Sequence, residues 1–207
     1  MTSSNDNKTQ TAQRLVMEGL TYHQRGQIRE AESLYRQAVD ADNDNFDALH
    51  LLGVTHHHQG KHKAAIDWIR RALTIDSGQP AAYNNLGNAL QALGLAKEAM
   101  EAYNKALNLK PDYALAHYNF GVVLHTQNRL DESIKSFLMA LDHEPDYMEA
   151  WVNLGNVYIV MPLVPQHPCA VALSCAAARD AEEGTERSVT QFIIQQRSDL
   201  CRVPEAA

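Results

Sequence analysis

Three asparagines stand one fixed step apart: Asn85, Asn119 and Asn153, each 34 residues after the last. Asn84, Asn88 and Asn156 thicken the row. A primary amide carries two N–H donors and a carbonyl acceptor. Such groups at equal intervals can hold the backbone of an extended peptide with little demand on its side chains. Asparagine is also a poor interior helix residue, so its recurrence needs a reason. Ligand binding is one reason. Duplication of an ancestral unit and bonding between neighbouring helices are others. A second row with the same spacing is His23, His57, Gln91 and His125. It reads either as a polar wall that answers to pH near neutrality or as exposed positions near helix ends.

Other chemistry is thinner. His56, His57 and His58, with His50 and His62, suggest imidazole ligands for zinc, copper or nickel. His58 and His62 straddle Gly60, however, so their spacing does not place them on one helix face, and no cysteine or carboxylate closes a site. No metal or other cofactor is expected. No phosphate-cradling glycine loop is present, and no serine or cysteine nucleophile is placed beside a base. Asp131, Glu132 and Glu98 sit early in helical stretches, where the helix dipole and solvent suit a carboxylate. The reading is non-catalytic.

The elements that must position these residues follow the same step. Gly19, Gly53, Gly87, Gly121 and Gly155 lie on one comb of period 34, a period typical of stacked-repeat architectures. With Ala12 as position 1, full repeats run 12–45, 46–79, 80–113 and 114–147, and a fifth begins at Met148. Apolar or small residues at positions 4, 7, 8 and 11 give a one-face helical spacing, as in Tyr83, Leu86, Gly87 and Leu90. Position 15 is a turn residue: Gly26, Gly60, Gly94 and Asn128. A second helix carries small residues at 20 (Ala31, Ala65, Ala99, Ser133) and 27 (Ala38, Ala72, Ala106, Ala140). Between them, position 24 is large: Tyr35, Ile69, Tyr103 and Phe137. Pro111 and Pro145 close two of these helices. A lone hairpin cannot bury its apolar stripe, so neighbours must stack.

Composition sets the outer limits. The 207 residues are 45% apolar, which suits one soluble domain or a short repeat array. A net charge of −7 with no basic block disfavours nucleic acid. No apolar run approaches the roughly 20 residues that span a bilayer. Met1 to Gln13 is polar and lacks the core of a secretory signal; a cytoplasmic protein is expected, with residues 1–11 a disordered leader. Composition then changes beyond residue 160. All three cysteines (Cys169, Cys175, Cys201) and four of seven prolines fall there, and no lysine does. Pro162 stands where a turn glycine belongs, and positions 20, 24 and 27 become His167, Val171 and Ser174, which do not fit. The tail 159–207 reads as a linker plus possible helices. It is either a cap over the helix at 148–160 or the product of a lost reading frame in a longer protein.

These residues resemble the tetratricopeptide repeat over about residues 12–158. The resemblance implies an all-α fold: a right-handed superhelical solenoid of antiparallel helix pairs, about 4.5 repeats long, with a concave groove lined by the first helices. It places positions 2, 6, 9 and 13, flanked by 5 and 12, on that concave face. The asparagine row resembles the ladder in the repeat region of bacterial O-linked N-acetylglucosamine transferase-like proteins, where it holds substrate backbone. The implied partner is a protein or extended peptide bound at Asn84, Asn85, Asn88, Asn119, Asn153, Asn156, His57, Gln91 and His125. Glu149 at position 2, and the lack of lysine or arginine at position 5, argue against the acidic chaperone tails that some family members clamp. The alternative is the substrate-recognition part of a glycosyltransferase whose catalytic domain is missing. Self-association through the apolar flank of helix 148–160 is a third.

Overall fold

The computed structural model describes residues 2–160, and the expectations about the tail lie outside them. The described residues form helices only: α1 (Thr2–Gln24), α2 (Ile28–Ala41), α3 (Phe46–His58), α4 (His62–Ile75), α5 (Pro80–Ala92), α6 (Ala96–Leu109), α7 (Ala114–Thr126), α8 (Leu130–His143) and α9 (Met148–Val160). Odd-numbered helices are the first helices of successive repeats. The strongest packing is within each pair, α1 with α2 through α7 with α8, and each even helix also packs on the next odd one. Consecutive odd helices approach one another closely along their backbones, whereas consecutive even helices stand farther apart and are bridged by long side chains, as by Arg70 of α4 and Glu98 of α6 at 3.1 Å. The stack therefore curves with its odd helices on the inside.

The pairs close as the residue pattern dictates. Ala31, Ala65, Ala99 and Ser133, then Ala38, Ala72, Ala106 and Ala140, are all fully buried, as are Tyr35, Ile69, Tyr103 and Phe137 between them. Small residues above and below let the large one reach the first helix, where it lies on a glycine. A Cβ built on Gly53 would stand 2.5 Å from Ile69 Cγ1 and 3.1 Å from the Ala65 carbonyl oxygen. The same built atom at Gly87 meets the Tyr103 ring. Gly94 turns the chain between α5 and α6 at φ +75°, and Asn128 does so at +57° between α7 and α8, the left-handed region that suits these two residue types.

A second buried stripe completes the stack; the sequence pattern marks its position 7 as core but not its positions 3 and 10. Positions 3, 7 and 10 pack each odd helix onto the preceding repeat. Ala48, Leu52 and Thr55 are buried there, as are Ala82, Leu86 and Ala89, and Ala150, Leu154 and Val157. In α1 the same positions are Arg14, Glu18 and Thr21, all exposed. Polar side chains thus face water at that end of the stack.

The expected leader is corrected. α1 begins at Thr2, so residues 2–11 extend the first helix. Once residues 12–24 are packed on α2, adding turns costs only propagation, which polar residues tolerate. Thr11 Oγ1 donates to the Asn7 carbonyl at 2.8 Å, and Thr9 Oγ1 donates to Asp42 Oδ2 at 3.2 Å, tying the extension to the end of α2. No described helix is long and apolar enough to cross a membrane.

Candidate functional site

The inner face is built from one stripe of the odd helices. Asp47, Ala81, Leu115 and Glu149 at position 2 are exposed, and Leu51, Asn85, Asn119 and Asn153 at position 6 are half-buried. Met17, at position 6 of α1, is 65% exposed.

The asparagine rungs are wired alike. Asn85 Nδ2 lies 2.9 Å from His50 Nε2, Asn119 Nδ2 donates to Asn84 Oδ1 at 2.9 Å, and Asn153 Nδ2 donates to the Tyr118 hydroxyl at 3.1 Å. Each rung reaches position 5 of the preceding repeat. At Asn153 the amide orientation is fixed, because Nδ2 also donates to the Glu149 backbone carbonyl at 2.9 Å, which can only accept. Burial lowers the pKa of His50, with Asp47 pulling the other way. The imidazole is therefore neutral and can accept at Nε2 from Asn85. The ladder thus staples repeats together through one N–H of each rung amide.

Asn84 differs from the expectation. It is fully buried and presents nothing to a ligand. Position 5 faces the next repeat, where its Oδ1 accepts from Asn119, and its own Nδ2 has no partner among the described residues. Asn88 and Gln91 are engaged as well. The Tyr103 hydroxyl lies 2.7 Å from Asn88 Oδ1 and 2.9 Å from Gln91 Oε1. A phenol has one proton, so only one of these oxygens accepts at a time. Burial pushes the Tyr103 pKa upward, which keeps that proton in place. Asn156 is exposed and His125 half-buried.

The histidines form a chain at the junction of the first two repeats. His57 Nδ1 and His62 Nδ1 are 3.1 Å apart, and the His23 and His58 rings are 5.5 Å apart, edge to face. Across the Gly60 turn it is His57, not His58, that meets His62. Burial lowers the His57 pKa, and His62 and His58 lower it further. His56 is buried; its Nδ1 lies 2.9 Å from the Leu52 carbonyl, and Arg36 Nη2 lies 3.2 Å from its Nε2. Since a carbonyl can only accept, Nδ1 carries the proton and Nε2 accepts from Arg36. Glu32 joins this network, accepting from Gln59 Nε2 at 2.6 Å and from Arg36 at 2.8 Å. These bonds tie α2 to α3. No three histidine, cysteine, aspartate or glutamate side chains converge for a metal among the described residues.

Sequence reasoning missed His50 and Tyr118, the partners of the ladder. A signal was there. Where position 6 is asparagine, position 5 of the preceding repeat can accept a hydrogen bond: His50, Asn84 and Tyr118. Where it is Leu51, that partner is Val16, and both lie in one apolar cluster.

Comparison with known proteins agrees with this geometry. Tetratricopeptide repeat models match residues 16–80 and 81–110, and a TPR repeat model matches residues 96–128. No curated protein sequence matches the chain significantly. Among solved structures, MamA is 25% identical with a TM-score of 0.68, over 80% of this chain and 95% of that one. The O-GlcNAc transferase of Thermobaculum terrenum, solved as the K341M mutant, is 28% identical with a TM-score of 0.63, over 65% of this chain and 26% of the transferase. The first TPR of Spaghetti (RPAP3), bound to the HSP90 peptide SRMEEVD, is 26% identical with a TM-score of 0.54, over 56% of this chain and 92% of that one. The chain belongs to the tetratricopeptide repeat family, a right-handed superhelical array of helix pairs whose repeats resemble those of O-GlcNAc transferase.

Proposed function

We propose that the chain is a non-catalytic interaction scaffold whose inner groove holds an extended peptide of a partner protein. The observation that carries this reading is the row of half-buried rungs Asn85, Asn119 and Asn153, each with Nδ2 tied back to the preceding repeat. The tie fixes each side chain before a ligand arrives, so little rotamer entropy is lost on binding. Equal spacing along the groove suits the repeating amides of a peptide backbone. The peptide-bound state of the similar RPAP3 repeat domain supports the same use of the fold. Asn88, Gln91, His57, His125 and Asn156 would form the walls, with Asn88 and Gln91 held by Tyr103. The test is a pull-down comparing the wild-type chain with Asn85→Ala/Asn119→Ala/Asn153→Ala. Loss of specific partners from the variant supports the groove, and identical partner sets remove it.

A second reading follows from the likeness to the Thermobaculum terrenum enzyme. This chain spans about a quarter of that one, consistent with the 26% covered. The array would then be the substrate-selecting part of a glycosyltransferase, and the chain as given would show no turnover of UDP-N-acetylglucosamine. Turnover in a direct assay would contradict the non-catalytic assignment. Self-association is favoured by one feature, the exposed Met148 and Val152 on α9, each 55% accessible. Concentration-dependent sedimentation that disappears in Val152→Lys would support it, and a single sedimentation coefficient at all concentrations would remove it.

A further inference from the structure

We propose that the C-terminal half of the groove takes a cationic side chain, lysine or arginine, between the Tyr118–Tyr147 ring pair and the Glu149 carboxylate, so that the preferred ligand is a basic extended peptide. The proposal rests on the groove reading above and names its ligand class.

Two independent observations carry it. The first is the polarity of the groove. Positions 2, 5, 6, 9, 12 and 13 of the odd helices hold no lysine or arginine, and their formal charges are Asp47 and Glu149 alone. Each rung spends an N–H on the preceding repeat, and at Asn153 Nδ2 also donates to the Glu149 carbonyl, so donors are used up within the array. Such a surface accepts hydrogen bonds and offers few, which suits donor-rich ligands and disfavours carboxylates.

The second is an aromatic seat. The Tyr118 and Tyr147 rings are 4.9 Å apart between centroids, inclined at 41°, and both are half-buried. Tyr118 also leans on Phe137 at 5.9 Å, which fixes its position from the core side. Asn153 bonds the Tyr118 hydroxyl at 3.1 Å and the Glu149 carbonyl at 2.9 Å, holding the ring against the first turn of α9 where Glu149 stands. The Glu149 charge is felt at both phenols, adding to burial in raising their pKa values. Ring faces carry negative quadrupole and attract cations. The α9 N-terminus opposes this with about half a positive charge, which the full charge of Glu149 exceeds. Leu115, exposed one turn before Tyr118 on α7, offers apolar surface to the methylene stem of lysine or arginine.

The test is fluorescence anisotropy with a short labelled peptide alternating lysine and alanine, beside glutamine and glutamate versions of equal length. The lysine peptide should bind on the order of tenfold tighter than the glutamine peptide at low salt, and the glutamate peptide weakest. Glu149→Gln, an exposed isosteric change, should weaken the lysine peptide about fivefold, and Tyr147→Leu about threefold. Glu101→Gln, on the outer face of α6, should change nothing. Equal affinity for lysine and glutamine peptides overturns the subsite while leaving the groove reading intact. So does equal loss from Glu149→Gln and Glu101→Gln, which would mean diffuse attraction to an acidic protein. Failure of all three peptides to bind overturns the subsite and counts against the groove itself.

Discussion

The ladder makes an unequal prediction about stability that can be worked out rung by rung. Asn119→Ala removes the donor to Asn84 Oδ1. Asn84 is fully buried and its Nδ2 already lacks a partner among the described residues, so the variant leaves an entire amide unsatisfied in the core. Stranding a buried polar group costs about 1–3 kcal/mol. Replacing asparagine by alanine inside a helix returns roughly 0.5 kcal/mol of propensity. The net loss is therefore about 1–2 kcal/mol. Asn153→Ala strands far less, because its partners are the half-buried Tyr118 hydroxyl and a helical backbone carbonyl; the propensity gain should leave it within about 0.5 kcal/mol of wild type. Urea unfolding followed by far-UV circular dichroism at pH 7.5 measures both. The decisive comparison is Asn84→Ala/Asn119→Ala. Removing both partners of a hydrogen bond avoids the stranded group, so the double variant should be no less stable than Asn119→Ala alone, with a coupling energy of about 1 kcal/mol or more. Additive losses, or equal losses at Asn119 and Asn153, would refute the inter-repeat bond as drawn.

Two further perturbations test the stack and its pH response. Gly53→Ala should cost about 1–3 kcal/mol in the same unfolding assay, because its Cβ meets backbone atoms of α4 that cannot step aside. Gly94→Ala should cost roughly 1 kcal/mol through its positive φ, and Asn128→Gly should be neutral or slightly stabilising at the matching turn. Stability should fall as the solution is acidified. His23, His50, His56 and His57 all have pKa values lowered from 6.5, burial being the largest cause in each. The fold holds them neutral, whereas the unfolded chain takes up protons at the ordinary value. Stability is therefore full above that value and is lost as pH falls through the lowered folded ones. Thermal melts between pH 7.5 and pH 5 should show a falling midpoint, and an unchanged midpoint would contradict the neutral His56–Arg36 contact.

Much of the fold could be read from the period and the residue sizes. Glycine at position 8 opposite a large residue at 24 is a contact written in volume, and the left-handed turn at Gly94 and Asn128 is written in residue type. The second buried stripe was harder to see, because Ala82 and Ala89, which join Leu86 in it, serve a neighbour that a single-helix reading does not contain. The same limit applied to the site. Asn84 and Asn85 look equivalent in sequence, yet a one-residue step turns one toward the next repeat and the other toward the groove. Which way each amide points depends on partners 35 residues away, at His50, Asn84 and Tyr118. Helical periodicity describes one helix, and these bonds run between helices. The extended α1 shows the converse, since polar composition hid a helix that borrows its nucleus from packed residues downstream.

The central claim is that a peptide lies along the inner face, over the asparagine ladder. Its most direct measurement is a titration of the isotopically labelled chain with the lysine–alanine peptide, following the side-chain amide resonances of asparagine by heteronuclear NMR. The account predicts saturable shifts at Asn153 and Asn119, smaller ones at Asn85, and none at buried Asn84 or at outer-face Asn104. Saturable binding with shifts confined to the even helices, and the ladder amides unmoved, would contradict it.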